Sequence, residues 1–172
     1  ARVLLKLVCE RFFGPANGFV DMVVEHIPSP VEAAEKKLQR YYTGPLDSKV
    51  AKSMAECDQD GPLVVQVSKL FNTSDASGFQ AFGRVMSGTA RSGQQVRVLG
   101  EGYSIDDEED MSMATISDVW IAESRYNVPT DGVPAGNWVL LGGIDNSIVK
   151  SATIVPPKLE DDEDAYIFKP IT

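Results

Sequence analysis

Apolar positions follow one period in the first quarter of the chain and another in the remainder. Val3, Leu4, Leu7 and Val8 fall on one helical stripe, which Phe12 and Phe13 extend until Gly14-Pro15 interrupts it. Phe19, Val20, Val23, Val24 and Ile27 mark a second short helix that ends at Ile27-Pro28-Ser29-Pro30, where two prolines remove amide donors. Ser29 suits the N-cap of a third helix, with Pro30 in its first position and Glu32 in its first turn. That helix runs through Glu32 to Leu38, unless the stretch after Pro30 is a linker into a sheet. Residues 43–60 are polar and turn-prone, with room for a short helix from Ser48 to Glu56.

From Leu63 onward the period is two. Strands are expected at Leu63 to Leu70, Phe79 to Ser87, Gln95 to Leu99, Met113 to Ile116, Asp118 to Tyr126, Asn137 to Leu141, Ile148 to Ile154 and Tyr166 to Lys169. This phase makes Phe82 and Val98 core positions. Many short strands between turn signals indicate a mainly β fold, an antiparallel sandwich or barrel, preceded by a short α-helical segment. The division falls into a helical lead-in and linker, 1–57, and a β-barrel, 58–172, with an acidic loop near 158–165.

Composition narrows what such a module can do. The 172 residues carry a formal net charge of −9, concentrated in Asp106-Asp107-Glu108-Glu109-Asp110 and Glu160-Asp161-Asp162-Glu163-Asp164. These runs repel phosphate and argue against nucleic acid as the main ligand; each is either a solvated loop or a dock for a basic partner. Two cysteines, Cys9 and Cys57, form no disulfide framework, and one histidine, His26, offers no metal-ligand spacing. No apolar run approaches the roughly 18 residues of a membrane helix. The segment Ala1 to Val8 has no starting Met, basic region or cleavage site, and a start in mid-pattern points to a piece of a longer protein. Asn72-Thr73-Ser74 matches a glycosylation triplet, which matters only in a secreted protein.

Catalytic material is sparse. The chain has no Gly-rich phosphate loop ending in Lys-Ser/Thr and no Asn-Lys-x-Asp guanine-reading element. Asp58-Gln59-Asp60-Gly61 fits a nucleotide-switch pattern but precedes a strand instead of following one. Cys57 lacks a neighbouring base, and the acidic run at 106–110 lacks the Asp-x-Asp-x-Asp-Gly calcium spacing. No residue is assigned a catalytic, cofactor-binding or metal-binding role. The chain reads as a binding or scaffold module.

Ala81-Phe82-Gly83-Arg84-Val85-Met86-Ser87-Gly88, continued by Gly93 and Val96 to Gly100, resembles the second domain of translational GTPases. Gly83 permits close strand approach in that pattern, while Gly88 and Gly93 let the hairpin reverse. Ile27 to Val31, Cys57-Asp58, Gly61 to Leu63, Val133 to Asn137 and Val149 to Ile154 resemble the elongation factor two lineage in the same order along the chain. Gly102 to Asp110, Val119-Trp120-Ile121 and Asn137-Trp138-Val139-Leu140 resemble its spliceosomal branch, the GTPases of the U5 small nuclear ribonucleoprotein.

The resemblance implies an antiparallel barrel of six or seven strands behind a GTPase domain, in a nuclear protein acting in pre-mRNA splicing, in spliceosome activation and disassembly. GTP and magnesium would belong to the whole protein, and none of the family's nucleotide-contacting motifs falls on this chain. The implied partners are spliceosomal proteins, chiefly the large central U5 scaffold protein, with indirect proximity to U5 RNA. The alternative is the ribosome-binding domain of a translocation factor. Candidate partner-contact residues are Trp120, Trp138, Tyr103, Asp107, Glu108 and Glu109. For the tryptophans, ordinary packing is the competing role.

Overall fold

The computed structural model describes residues 2–14, 16–73, 76, 78–107, 109–124, 126–159 and 163–170. Four helices come first: α1 (Arg2–Phe13), α2 (Asn17–His26), α3 (Pro30–Tyr41) and α4 (Lys49–Glu56). Ten strands follow: β1 (Val64–Asn72), β2 (Phe79–Ser87), β3 (Thr89–Ala90), β4 (Gln95–Leu99), β5 (Met111–Thr115), β6 (Val119–Glu123), β7 (Tyr126–Pro129), β8 (Val133–Pro134), β9 (Trp138–Leu141) and β10 (Ala152–Val155).

Local chemistry sets the helix ends. Ser29 closes a capping box on α3: its hydroxyl accepts from the Glu32 N–H (3.4 Å) and its own N–H donates to the Glu32 carboxylate (2.8 Å). Those contacts hold the Glu32 carboxyl below its usual range. The third helix is therefore real, and it continues to Tyr41. Ser48 caps α4, and the Lys49 and Val50 N–H groups also donate to the Glu163 carboxylate at 3.0 and 3.4 Å. That contact ties the acidic segment beyond β10 to the N-terminus of α4.

Eight strands form one antiparallel sheet in the order β5-β4-β10-β1-β2-β9-β6-β7, and β3 pairs with β8 beside it. Inward residues from both ends of this order, among them Val96 and Val98 of β4 and Val119 of β6, meet in one core with Val65, Val85, Val139, Leu141 and Ile154. The sheet is thus curled around its own interior in the manner of a barrel, although no ladder joins β5 to β7 among the described residues. Gly83 shows why glycine sits in β2: a Cβ there would lie 2.6 Å from the Gln66 carbonyl oxygen. Gly88 turns the chain at φ +74°, also against backbone, with Leu63 Cα 2.7 Å from its would-be Cβ.

A second core lies on the outer side of the same sheet. Leu38 of α3 and Val50, Ala51 and Met54 of α4 pack with Val64, Met86, Leu99 and Val155 from the strands and Phe168 from the C-terminal segment. This core straddles the division expected at 57/58, because the apolar stripes of α3 and α4 find their cover on strand residues. The α1 and α2 stripes find none: neither helix has a buried residue.

Several strand expectations change. The single strand at Asp118 to Tyr126 is a hairpin, β6-β7, with Ser124 at positive φ in its turn. Ile148 to Ile154 is strand only from Ala152, after a 3-10 turn at Asp145–Ser147. Tyr166 to Lys169 contributes a lone bridge, Phe168 to Tyr42. Phe82 is not a core residue. Ala81, Gly83 and Val85 face inward, so Phe82 and Arg84 stand on the outer face.

Candidate functional site

On the outer face of the sheet, α3 and α4 cover part of β1, β2, β4 and β10, and the face that runs across β1, β2, β9 and β6 beyond them is partly open. A bulge in β1 builds the open part. Val67 pairs with Gly83 and Lys69 with Phe82, leaving Ser68 as an extra residue. Val65 and Val67 point into the interior before the bulge, and Leu70 packs on that interior after it. Lys69 and Phe71 are thereby turned outward.

Phe71 then meets Phe82 edge to face at 5.4 Å, and Phe82 stacks on Trp138 at 4.8 Å with the planes 4° apart. The three rings form a diagonal row across neighbouring strands, the spacing at which large side chains touch on a sheet. Trp138 remains 44% exposed and Phe71 42% exposed. Trp120 stands opposite Leu140, which stands opposite Phe82, so both tryptophans share this face. The Trp120 ring is half-buried and lies over Gly142, whose would-be Cβ comes within 3.1 Å of it.

Cations frame the row. The Lys69 ammonium sits 5.3 Å from the Phe71 ring centre, and Arg84 is opposite Trp138. Lys37, on α3, titrates below the usual lysine range, first because it is partly buried and then because the Arg84 guanidinium repels its charge.

The remaining candidates lie elsewhere. Tyr103 is buried at 8% exposure in the outer core, away from solvent. Asp107 is exposed in the β4–β5 loop, where it forms an isolated bridge with Ser104 and its carboxylate accepts from the Glu109 N–H at 3.1 Å. Glu109 is exposed, and Glu108 lies outside the described residues. Asp110 turns back to accept from the Gly102 N–H at 2.8 Å, which shapes the loop. The structure therefore brings Trp120 and Trp138 together and keeps the acidic loop separate. Sequence reasoning missed Phe71, Phe82, Lys69 and Arg84. The signal available for two of them was Arg84 itself, which shares the phase of Phe82 and excludes that phase from the core.

Among the described residues no three His, Cys, Asp or Glu side chains gather closely enough to hold a metal ion. Among them, too, no helix is long and apolar enough to cross a membrane. Cys9 and Cys57 are not joined to one another.

Residues 78–155 match the family model of elongation factor Tu domain 2. Among curated proteins, the chain is 52% identical over 168 residues to the 109 kDa U5 small nuclear ribonucleoprotein component GFL of Arabidopsis thaliana. It is equally similar to the 110 kDa U5 component CLO of the same plant. It is 51% identical over 170 residues to the pre-mRNA-splicing factor cwf10 of Schizosaccharomyces pombe. Each alignment covers 98% of this chain and 17% of the relative's length. The core glycines and the two tryptophan segments lie inside the region matched to elongation factor Tu domain 2, and over nearly its whole length the chain is similar to U5 small nuclear ribonucleoprotein components.

Proposed function

We propose that this chain is a non-catalytic barrel module of an elongation-factor-like GTPase that acts in pre-mRNA splicing within the U5 particle in the nucleus. Its role is to present a protein-binding surface and to relay the state of a neighbouring GTP-binding domain. The observation that carries the binding role is the exposed aromatic row on the outer face of the sheet, since contiguous exposed apolar surface marks contact sites. The relay role is supported by the outer core, through which α3 and α4 are fixed to the strands and cannot move without them. The partners in this reading are spliceosomal proteins, chiefly the large central scaffold protein of the U5 particle, with U5 RNA nearby but not held by this face. Trp120 and Trp138 are contact residues. Asp107, Glu108 and Glu109 form a second, separate contact, and Tyr103 supports their loop from within. GTP and magnesium belong to the neighbouring domain.

The test compares binding of the purified 172-residue chain to U5 particles and to ribosomal subunits. Selective retention on U5 particles, with no GTP bound or turned over, is expected. Preferential binding to ribosomal subunits would move the chain to a translational role, and GTP turnover lost on Asp58→Asn would make it an enzyme.

A further inference from the structure

The open aromatic face has a chemistry of its own. Phe82 and Trp138 stack at 4.8 Å, about one strand spacing. Phe71 meets Phe82 edge to face at 5.4 Å. Ring edges carry the positive part of the aromatic quadrupole. Lys69 and Arg84 add full positive charges along the same row, and Lys37 lies within electrostatic reach of Arg84. No carboxylate lies within salt-bridge distance of these three cations among the described residues. A chain of net charge −9 thus keeps one apolar face electropositive.

We propose that the outer face built by Phe71, Phe82 and Trp138 with Lys69 and Arg84 docks an acidic, extended segment of a partner protein. This rests on the reading of the chain as a partner-binding module and assigns the chemistry of one partner. Carboxylates would lie against the ring edges and cations, and apolar side chains of the segment would cover the row. The geometry favours a protein segment over RNA. Base stacking needs open ring faces, whereas Phe82 and Trp138 each turn one face on the other and the Lys69 ammonium sits over the Phe71 ring. The acidic runs of the chain also repel a continuous polyphosphate far more than a segment with a few carboxylates.

The experiment selects peptides of about twelve residues, long enough when extended to cross the face, from a random library against the whole 172-residue chain. Selected peptides and an oligouridylate of similar length are then titrated against the wild type, K69E, R84E and, as a net-charge control, R11E. Only variants whose melting temperature matches the wild type are compared. The expected peptides are rich in Asp and Glu, with affinities about ten-fold weaker for K69E and R84E and nearly unchanged for R11E. Failure to select any peptide, or acidic peptides indifferent to R84E, would overturn the proposal. Oligouridylate binding that R84E weakens, and that exceeds peptide binding, would overturn it in favour of nucleic acid. Basic peptides that ignore R84E but are lost on Asp107→Asn with Glu109→Gln would also overturn it, while leaving the partner-binding reading in place through the acidic loop.

Discussion

Replacing Met54 by alanine tests whether the helices and the sheet are one cooperative unit. Met54 lies on α4 at 0% exposure, inside the core that joins α4 to Val64, Met86 and Leu99. Full burial of a methionine side chain contributes about 1.5–3 kcal/mol through the area it removes from water. The cavity left beneath α4 raises the expected cost of Met54→Ala to about 2–5 kcal/mol. For a protein of this size each kcal/mol corresponds to about 2–4 °C, so the melting temperature should fall by about 6–12 °C for a cost of 3 kcal/mol. Two probes separate the parts. Near-ultraviolet circular dichroism of Tyr42 and Tyr103 reports the outer core, while fluorescence of Trp120 and Trp138 reports the strands. Both transitions should move together. A tyrosine signal that melts early while the tryptophan transition stays in place would refute the shared core, and with it the rigid link to the helices.

Three further outcomes follow from the packing. Val98→Ala, in the barrel interior, should cost about 2–3 kcal/mol from two lost methyl groups and their cavity. Phe82→Ala, on the outer face, should cost about 1–2 kcal/mol from partial burial and the lost ring contacts; chemical denaturation that ranks Phe82 above Val98 would contradict the strand phase. Gly83→Ala should destabilise by about 1–3 kcal/mol in the same assay, because its new methyl would press on the Gln66 carbonyl. The Tyr42 hydroxyl is held far above the usual tyrosine range, first by burial and then by neighbouring Tyr166 and Glu163. A raised folded pKa means that stability is intact below the unfolded value of about 10 and falls as pH rises beyond it. Unfolding measured across that range should show this alkaline decline, and Tyr42→Phe should flatten it.

Much of the strand plan was readable because glycines and β-branched runs mark where this sheet turns and where it is buried. Phe79 to Ser87 and Gln95 to Leu99 coincide with β2 and β4. The Ser29 cap was equally legible, since Ser, Pro and Glu at those positions have a local physical meaning that needs no tertiary context. The bulge at Ser68 was not. Alternation alone continues Val65 and Val67 into Lys69 and Phe71, and only the partner strand reveals the inserted residue. The aromatic row was hidden for the same reason, because Phe71, Phe82 and Trp138 meet only through strand register. The tryptophans stood out as unusual residues in their segments, but their common face depends on Leu140 pairing with both Phe82 and Trp120. The tie from Glu163 to α4 was likewise invisible, since it joins residues 113 and 114 positions apart.

The most direct test of this account places a photo-crosslinking amino acid at Trp138 of the full-length protein assembled into U5 particles, with a matching probe at exposed Met113 on β5. Protein crosslinks from position 138 into an acid-rich segment of a partner protein in the particle are expected, with no such product from position 113. Crosslinks from position 138 to RNA, or none at all in particles that retain the protein, would contradict it.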